Sequence, residues 1–128
     1  MYEWLKDYQK LENDIEYLEY KLLKTERELA RWEGGNLSHI KLESESKGSQ
    51  VEESITSIKE EIEYKQNQML EIVRVISKFK GLDNQILKLK YVDGFTLEYI
   101  AEELNYSAQY IRMRHAEMIR ALRLIEEM

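Results

Sequence analysis

The sequence predicts an all-α protein, with a long antiparallel helical hairpin over residues 1–80 followed by a helix-turn-helix over residues 81–128. The chain of 128 residues contains no proline and only five glycines. Charged residues make up 34% of it, a composition that suits long helices and coiled coils. Apolar residues also recur at alternating spacings of four and three along most of the first 80 residues, which is the pattern of a helical seam.

Composition also limits what the protein can be. There is no cysteine, which excludes disulfides and thiolate metal sites. No apolar run approaches the roughly 20 residues of a membrane span, and no signal peptide opens the chain. We therefore expect a cytoplasmic protein without membrane contact. No Ser/His/Asp constellation, phosphate loop or ligand-spaced histidine pair is present, so we expect no enzyme activity, no catalytic residue, no cofactor and no metal.

The first predicted helix runs from about Tyr2 to Glu33 and ends at Gly34-Gly35, because glycine readily takes the left-handed conformation at a helix end. A polar connector is expected over about 34–50. The seam of this helix consists of Trp4, Tyr8, Leu11, Ile15, Leu18, Leu22, Thr25, Leu29 and Trp32.

The second predicted helix runs from about Val51 to Phe79 and has a seam of the same length. If the two helices fold back on each other, Leu11 meets Ile72 and Trp4 meets Phe79. An antiparallel coiled coil within one chain is therefore favoured, and a parallel dimer remains the alternative. The second seam consists of Val51, Ile55, Ile58, Ile62, Lys65, Met69, Ile72, Ile76 and Phe79.

Four apolar residues beside the seams widen the apolar face beyond what a two-stranded coil needs. This surplus predicts that either the C-terminal module or a second subunit packs there, so a homodimer through the first two helices is one expectation. The residues are Tyr17, Tyr20, Leu23 and Tyr64.

The last third of the chain reads as three shorter helices. The first is expected from Asn84 to about Val92, with Asp83 as its N-cap, and the turn Asp93-Gly94 follows it. Two more helices divide at Asn105, which tolerates a positive φ. Each slot of a helix-turn-helix is filled at the correct spacing. Ala101 lies at the helix crossing, Tyr106 tucks inward and Ser107 is an N-cap, with core positions at Ile100, Leu104 and Ile111.

Residues 86–123, from Ile-Leu-Lys-Leu-Lys-Tyr through Thr-Leu-Glu-Tyr-Ile-Ala-Glu-Glu-Leu to Ala-Leu-Arg, resemble region 4 of sigma-70-type factors. That region binds the −35 promoter element. A long helical N-terminus joined to it also resembles small late-transcription regulators of phages, the ArpU/RinA-like group. The resemblance implies a transcription regulator, phage or prophage encoded, that reads double-stranded DNA. Because one reader of this size should bind weakly alone, we expect either dimerisation or recruitment by RNA polymerase to supply the remaining affinity.

The same resemblance implies a set of DNA contacts. The recognition helix would start after Ser107 and enter the major groove by its first turns. Gln109 would read adenine, and Arg112 would read guanine or hold a phosphate. Thr96 would receive a phosphate at a helix N-terminus. The implied set is Thr96, Ser107, Ala108, Gln109, Tyr110, Arg112, Met113, Arg114, Lys88, Lys90 and Arg120.

One position departs from the motif. An apolar residue is expected three positions after Ile111, and the chain has Arg114. Either the aliphatic stem of Arg114 covers the core, or the helix rotates and His115 takes the inward place.

The net charge of −6 argues against indiscriminate binding to nucleic acid. Within residues 107–123, however, there are four arginines and a single acid, Glu117. Two rival functions stay open. One is a phage DNA-packaging subunit of the small-terminase type, and the other is a sigma-like protein that binds polymerase or a sigma factor and not DNA.

Overall fold

In a computed structural model the chain is all-α. The structure describes residues 2–33 and 41–127, with side chains for 3–31 and 48–125. Its helices are α1 (Tyr2–Leu5), α2 (Tyr8–Glu33), α3 (Lys41–Ser77), α4 (Leu82–Leu87), α5 (Leu97–Leu104) and α6 (Ala108–Glu127), and a π-helical turn (Lys88–Val92) follows α4. No strand occurs in these ranges.

The predicted first helix is interrupted. The backbone N–H groups of Lys6 and Asp7 donate to the carbonyls of Glu3 and Trp4, three residues back, and α2 then starts at Tyr8. This tight turn separates α1 from α2, so the continuous helix predicted from Tyr2 was wrong. The seam pattern runs through the interruption because a tight turn shifts the helical phase only slightly.

The predicted connector is shorter than expected. Helix α3 begins at Lys41, ten residues before the predicted start at Val51, and residues 34–40 lie outside the described residues. Ser, Gly and Glu in residues 41–50 suggested a loop. Propensity is a weak prior, however, and a helix already propagating from Val51 adds one hydrogen bond for each residue fixed.

Contacts divide the chain into two compact units. Unit 1 comprises Met1–Glu12 with Gln68–Met128, and unit 2 comprises Asn13–Asn67. The division predicted from sequence, after residue 80, falls inside unit 1 and stays a prediction.

Unit 2 contains two antiparallel helical segments. Lys65 Nζ lies 3.2 Å from Asp14 Oδ2, and the position of a Cβ on Gly48 would be 4.0 Å from Leu29 Cδ1. The residue nearer the end of α2 thus contacts the residue nearer the start of α3, which means that the two segments run antiparallel. Lys65, the charged residue of the second seam, thus meets a carboxylate. The coiled-coil supercoil itself stays a prediction.

The two predicted seams are the inward faces of α2 and α3. Every seam residue whose side chain is described is buried or half-buried, and Trp32 lies outside the described side chains. Thr25 is tolerated in its seam because its hydroxyl donates to the carbonyl of Lys21 at 2.7 Å, a bond that satisfies a polar group within its own helix.

The core of unit 1 joins both ends of the chain. Leu5 and Leu11 from the N-terminal segment pack in one cluster with Ile72 and Ile76 of α3. The same cluster contains the buried residues of the C-terminal helices, which are Ile86, Leu87, Tyr91, Ile100, Ala101, Ile111, Met118, Ile119 and Leu122. Since one core holds both sets, the C-terminal helices do not depend on a small core of their own.

The chain passes from α3 to α4 through Gly81, which has a φ of 61°. Gly81 is the N-cap of α4, so Asp83, predicted as the cap, lies inside the first turn of the helix. The side-chain amide of Asn84 reaches back to donate to the carbonyl of Ile76 at 3.0 Å. This bond satisfies an acceptor near the end of α3, where four carbonyls lack helical partners.

We expect the turn between α5 and α6 to be sensitive to residue type at Asn105. Its φ of 63° is costly for a residue with an ordinary Cβ. Asn105→Ala should lower the free energy of unfolding by about 1 kcal/mol, whereas Asn105→Gly should stay within about 0.5 kcal/mol of wild type. Urea titration measures both values. Equal stability of the alanine variant and wild type would contradict the assigned backbone conformation.

Candidate nucleic-acid interface

Helices α5 and α6 form a helix-turn-helix with a well-defined turn. Asn105 is left-handed, and its N–H donates to the carbonyl of Glu102. The N–H of Tyr106 donates to the carbonyl of Ala101 at 2.9 Å. Together these two bonds form a Schellman motif, which satisfies the last carbonyls of α5 and reverses the chain direction.

Both helices begin at side-chain caps. Thr96 Oγ1 accepts from the N–H of Tyr99 at 3.1 Å, and Ser107 Oγ accepts from the N–H of Tyr110 at 3.1 Å. Such caps occupy donors that a helix N-terminus otherwise leaves unpaired. The predicted N-cap role of Ser107 is therefore confirmed, and Thr96 is in the position predicted for it at the start of α5.

The crossing of α5 and α6 is tightly packed. Ile100, Ala101 and Ile111 are buried, and Leu104 is half-buried against the same core. Tyr106 is the exception among the predicted core positions, because 46% of its surface is exposed. The prediction that it tucks inward was wrong, since its ring stacks on that of the exposed Tyr110.

Most of the predicted DNA-contacting residues are exposed on this motif and its flank. Exposed members are Lys88, Thr96, Ser107, Gln109, Tyr110, Arg112, Met113 and Arg120. Three are half-buried, namely Lys90, Ala108 and Arg114. Ala108 packs against the core of unit 1 and is only partly exposed, so its predicted contact with DNA stays a prediction.

Arg112 has an acidic neighbour that sequence reasoning did not find. Its Nη1 lies 2.9 Å from Glu98 Oε1, and both side chains are more than half exposed. The N–H of Glu98 itself bonds the carboxylate, and this bond, with the contribution of Arg112, holds the pKa of Glu98 below its usual value. The pair joins α5 to α6 across fourteen positions of sequence, a separation that no local pattern links.

Glu98 also changes the character of the N-terminus of α5. A phosphate was predicted at this helix end beside Thr96. Glu98 lies in the first turn, where a negative side chain interacts favourably with the helix dipole. A phosphate arriving there has to compete with that carboxylate both for the helix end and for Arg112.

The departure from the motif at residues 114 and 115 has a structural solution. Arg114 is half-buried, and its guanidinium bonds both oxygens of Asp83 at 3.0 and 2.5 Å as well as Glu117 Oε2 at 2.9 Å. Hydrogen bonding to Asp83 raises the pKa of Arg114. Arg114 therefore ties α6 to α4 in this structure, and its guanidinium is engaged inside the protein.

His115 takes a second inward place beside it. Its Nε2 lies 2.6 Å from the hydroxyl of Tyr91, which is buried in the π-helical turn. Burial, together with the charges of Lys90 and Lys6, lowers the pKa of His115 to about 4. The imidazole is therefore neutral near pH 7. The structure places both Arg114 and His115 partly inward, and the guanidinium of Arg114 does not escape from the protein as the first alternative had it, because Asp83 and Glu117 hold it.

The π-helical turn carries two of the candidate lysines. The N–H of Asp93 donates to the carbonyl of Lys88, five residues back, and such turns often occur at functional positions. Lys90 Nζ lies 5.7 Å from the ring centroid of Tyr91. The side-chain amide of Gln9 donates to the carbonyl of Val92, so the N-terminal end of α2 holds the turn that leads into α5.

Two further observations bound the chemistry of the described residues. No group of three or more histidine, aspartate and glutamate side chains among them could hold a metal ion. None of their helices has the length and apolar character needed to cross a membrane.

Comparison with known proteins agrees with the geometry. Residues 76–124 match the family model described as Sigma-70, region 4. The match begins at the end of α3 and includes α4, the π-helical turn, α5 and most of α6. This part of the chain is thus similar to region 4 of sigma-70 factors, and α5 and α6 within it have the geometry of a helix-turn-helix. Neither the curated proteins nor the solved structures contain a match to the chain.

We expect His115 to make stability depend on pH. In the folded protein the pKa of His115 is about 4, below the usual value of about 6.5. Between these two pH values the unfolded chain therefore binds a proton at His115 that the folded chain does not bind. Stability should be full above pH 6.5 and fall as the pH drops towards 4. Allowing for solvent screening, the loss should be about 1–2 kcal/mol.

Urea titrations of wild type and His115→Gln between pH 7 and 4 measure this effect. Carboxylates titrate in both proteins, so the difference between the two curves isolates His115. Tyr91→Phe is the control. It removes the hydrogen bond and keeps the burial that is the main cause of the shift, so it should retain most of the dependence. Parallel curves for wild type and His115→Gln would contradict the assignment.

Proposed function

We propose that this protein is a sequence-specific transcription regulator that binds promoter DNA with the first turns of α6. The observation that carries the proposal is the exposure of Gln109 and Arg112 on α6, immediately after a capped turn of the sigma-70 region 4 type. Phosphate contacts from basic side chains would fix orientation, and the two side chains would read base edges. The protein would act in the cytoplasm, on phage or prophage promoters, and without catalysis.

Each candidate contact has a defined role in the proposal. Gln109 suits the donor and acceptor pattern of adenine in the major groove, and Arg112 suits that of guanine. Lys88 and Arg120 are exposed and would neutralise phosphates. We leave Arg114 out of the contact set, because its guanidinium already bonds Asp83 and Glu117.

The decisive experiment compares wild type with Arg112→Ala on a duplex selected from a random library. If Arg112 reads a base, the variant should lose about 5- to 150-fold in affinity and discriminate less at one position. If Arg112 holds a phosphate, affinity should fall on all sequences and the slope of log K against log salt should fall by about 0.9. Fluorescence anisotropy over a salt series measures both quantities.

Three further variants sharpen the result. Arg27→Ala removes an exposed arginine of unit 2 and should leave binding unchanged. Glu98→Gln removes the carboxylate that competes for Arg112, so it should tighten binding by about two- to fivefold at low salt. Glu103→Gln, an exposed acid on the same helix, controls for net charge. If wild type binds no duplex at low salt while binding RNA polymerase, the protein-binding alternative replaces the proposal.

A homodimer forms a second part of the proposal. A single helix-turn-helix in a chain with a net charge of −6 gains little affinity for DNA from phosphate contacts alone. Tyr17, Tyr20 and Tyr64 of unit 2 are each exposed over nearly two thirds of their surface, which is unusual for large side chains without a partner. A two-fold dimer through this face would present two readers to two half-sites.

Sedimentation equilibrium tests the dimer. Wild type should associate at micromolar concentration, and the triple variant Tyr17→Ser, Tyr20→Ser, Tyr64→Ser should be monomeric, because its interface loses the aromatic surface. The control is Glu16→Ala with Glu19→Ala on the same helix, both exposed, which should still associate. A wild-type protein that stays monomeric would remove self-association from the proposal and leave DNA binding to stand alone.

A further inference from the structure

Two tyrosines stack on each other at the entrance to α6. The rings of Tyr106 and Tyr110 have centroids 5.4 Å apart and planes inclined by 27°. Tyr106 belongs to the turn, and Tyr110 lies in the first turn of the helix. Both remain exposed, over 46% and 38% of their surfaces.

Packing of the fold does not account for this pair. The crossing of α5 and α6 is already filled by Ile100, Ala101 and Ile111, which are at most 3% exposed. The turn is fixed by the left-handed Asn105 and by backbone hydrogen bonds, which need no aromatic side chain at position 106. Exposed aromatic surface that the fold does not require is typical of a binding site.

The pair is part of an apolar stripe on the exposed side of the motif. Tyr110 and Met113 are spaced by three and therefore lie on one side of α6, and Tyr106, in the turn before the helix, joins them by stacking on Tyr110. Met113 continues the stripe and is also exposed. Gln109 and Arg112, spaced by three, form a polar stripe beside it. The first turns of α6 thus present an apolar and a polar surface next to each other.

The charge of the motif limits what the polar stripe can do alone. Arg112 is paired with Glu98 at 2.9 Å, and the chain as a whole has a net charge of −6. Phosphate attraction is correspondingly weak. Contacts that need no charge are therefore expected to contribute to recognition beside those of Gln109 and Arg112.

We propose that the Tyr106–Tyr110 pair, extended by Met113, recognises thymine by its C5-methyl group in the major groove. This inference rests on the proposed DNA-binding function and adds the chemical feature that is read. Thymine alone among the four bases presents a methyl group in that groove. Stacking holds the two rings in one arrangement before DNA arrives, so less conformational entropy is lost on binding.

The test replaces thymines of the selected duplex with deoxyuridine, one position at a time. This change removes the methyl group and keeps the base pair. Wild type should lose about fourfold in affinity at one or two positions. Tyr110→Ser should bind thymine and uracil duplexes equally at those positions, while Tyr110→Phe, which retains the ring, should still distinguish them.

A second aromatic pair of the same motif supplies the control. Phe95 and Tyr99 stack with centroids 4.5 Å apart and are also exposed. Tyr99→Ser should keep the full uracil effect. Circular dichroism verifies that each variant is folded, and Tyr106→Ser replaces Tyr110→Ser if the latter unfolds.

The outcomes separate the inference from the function on which it rests. Tight binding of wild type with no loss on any uracil substitution overturns methyl recognition and leaves DNA binding intact. A Tyr110→Ser variant that binds DNA normally and loses binding to RNA polymerase overturns it as well, because the pair would then be a protein surface. If wild type binds no duplex at all, both proposals fail.

Discussion

The helix-turn-helix depends on one constraint, the reversal of the chain between α5 and α6. Ala101 is buried in the core beside that reversal, and the two helices pack on each other because the chain reverses within a short left-handed turn. Asn105 with its φ of 63° provides that reversal. The two hydrogen bonds from the N–H groups of Asn105 and Tyr106 then hold it. Once the turn is closed, the first turns of α6 have a fixed direction, and the exposed residues on them share one surface.

The same core constraint explains how a polar residue can replace an expected apolar one. Arg114 occupies a position where the motif has an apolar side chain, yet it is satisfied by Asp83 and Glu117. A half-buried cation without such partners would be costly. Asp83 lies in the first turn of α4 and not at its cap, which brings its carboxylate within reach of α6. His115 beside it remains neutral, so the inward side of α6 carries one compensated charge instead of two.

Periodicity and turn chemistry made much of this fold predictable from sequence. The two seams, the left-handed Asn105, the cap at Ser107 and the buried Ala101 follow from local rules and are confirmed. Predictions failed where a tertiary contact decides. Tyr106 lies outside, where its ring stacks on that of Tyr110. The helix from Lys41 continues through a polar, glycine-containing stretch because a helix propagates more easily than it starts.

The ion pair between Glu98 and Arg112 could not be predicted from the sequence for a related reason. Its members are fourteen residues apart, and only the angle between α5 and α6 brings them together. From sequence alone, Glu98 is predicted only as an acidic residue in the first turn of a helix, where its charge interacts favourably with the helix dipole. Its second effect, on the charge of the candidate reading surface, exists only in the folded motif. In the proposed complex with DNA, the acid beside Arg112 would weaken the attraction of that arginine for phosphate, so that selectivity would depend more on geometry and apolar contact. When attraction to phosphates is weak and contacts to particular bases are selective, the ratio of specific to non-specific DNA affinity increases. That ratio determines how often a regulator occupies its own site.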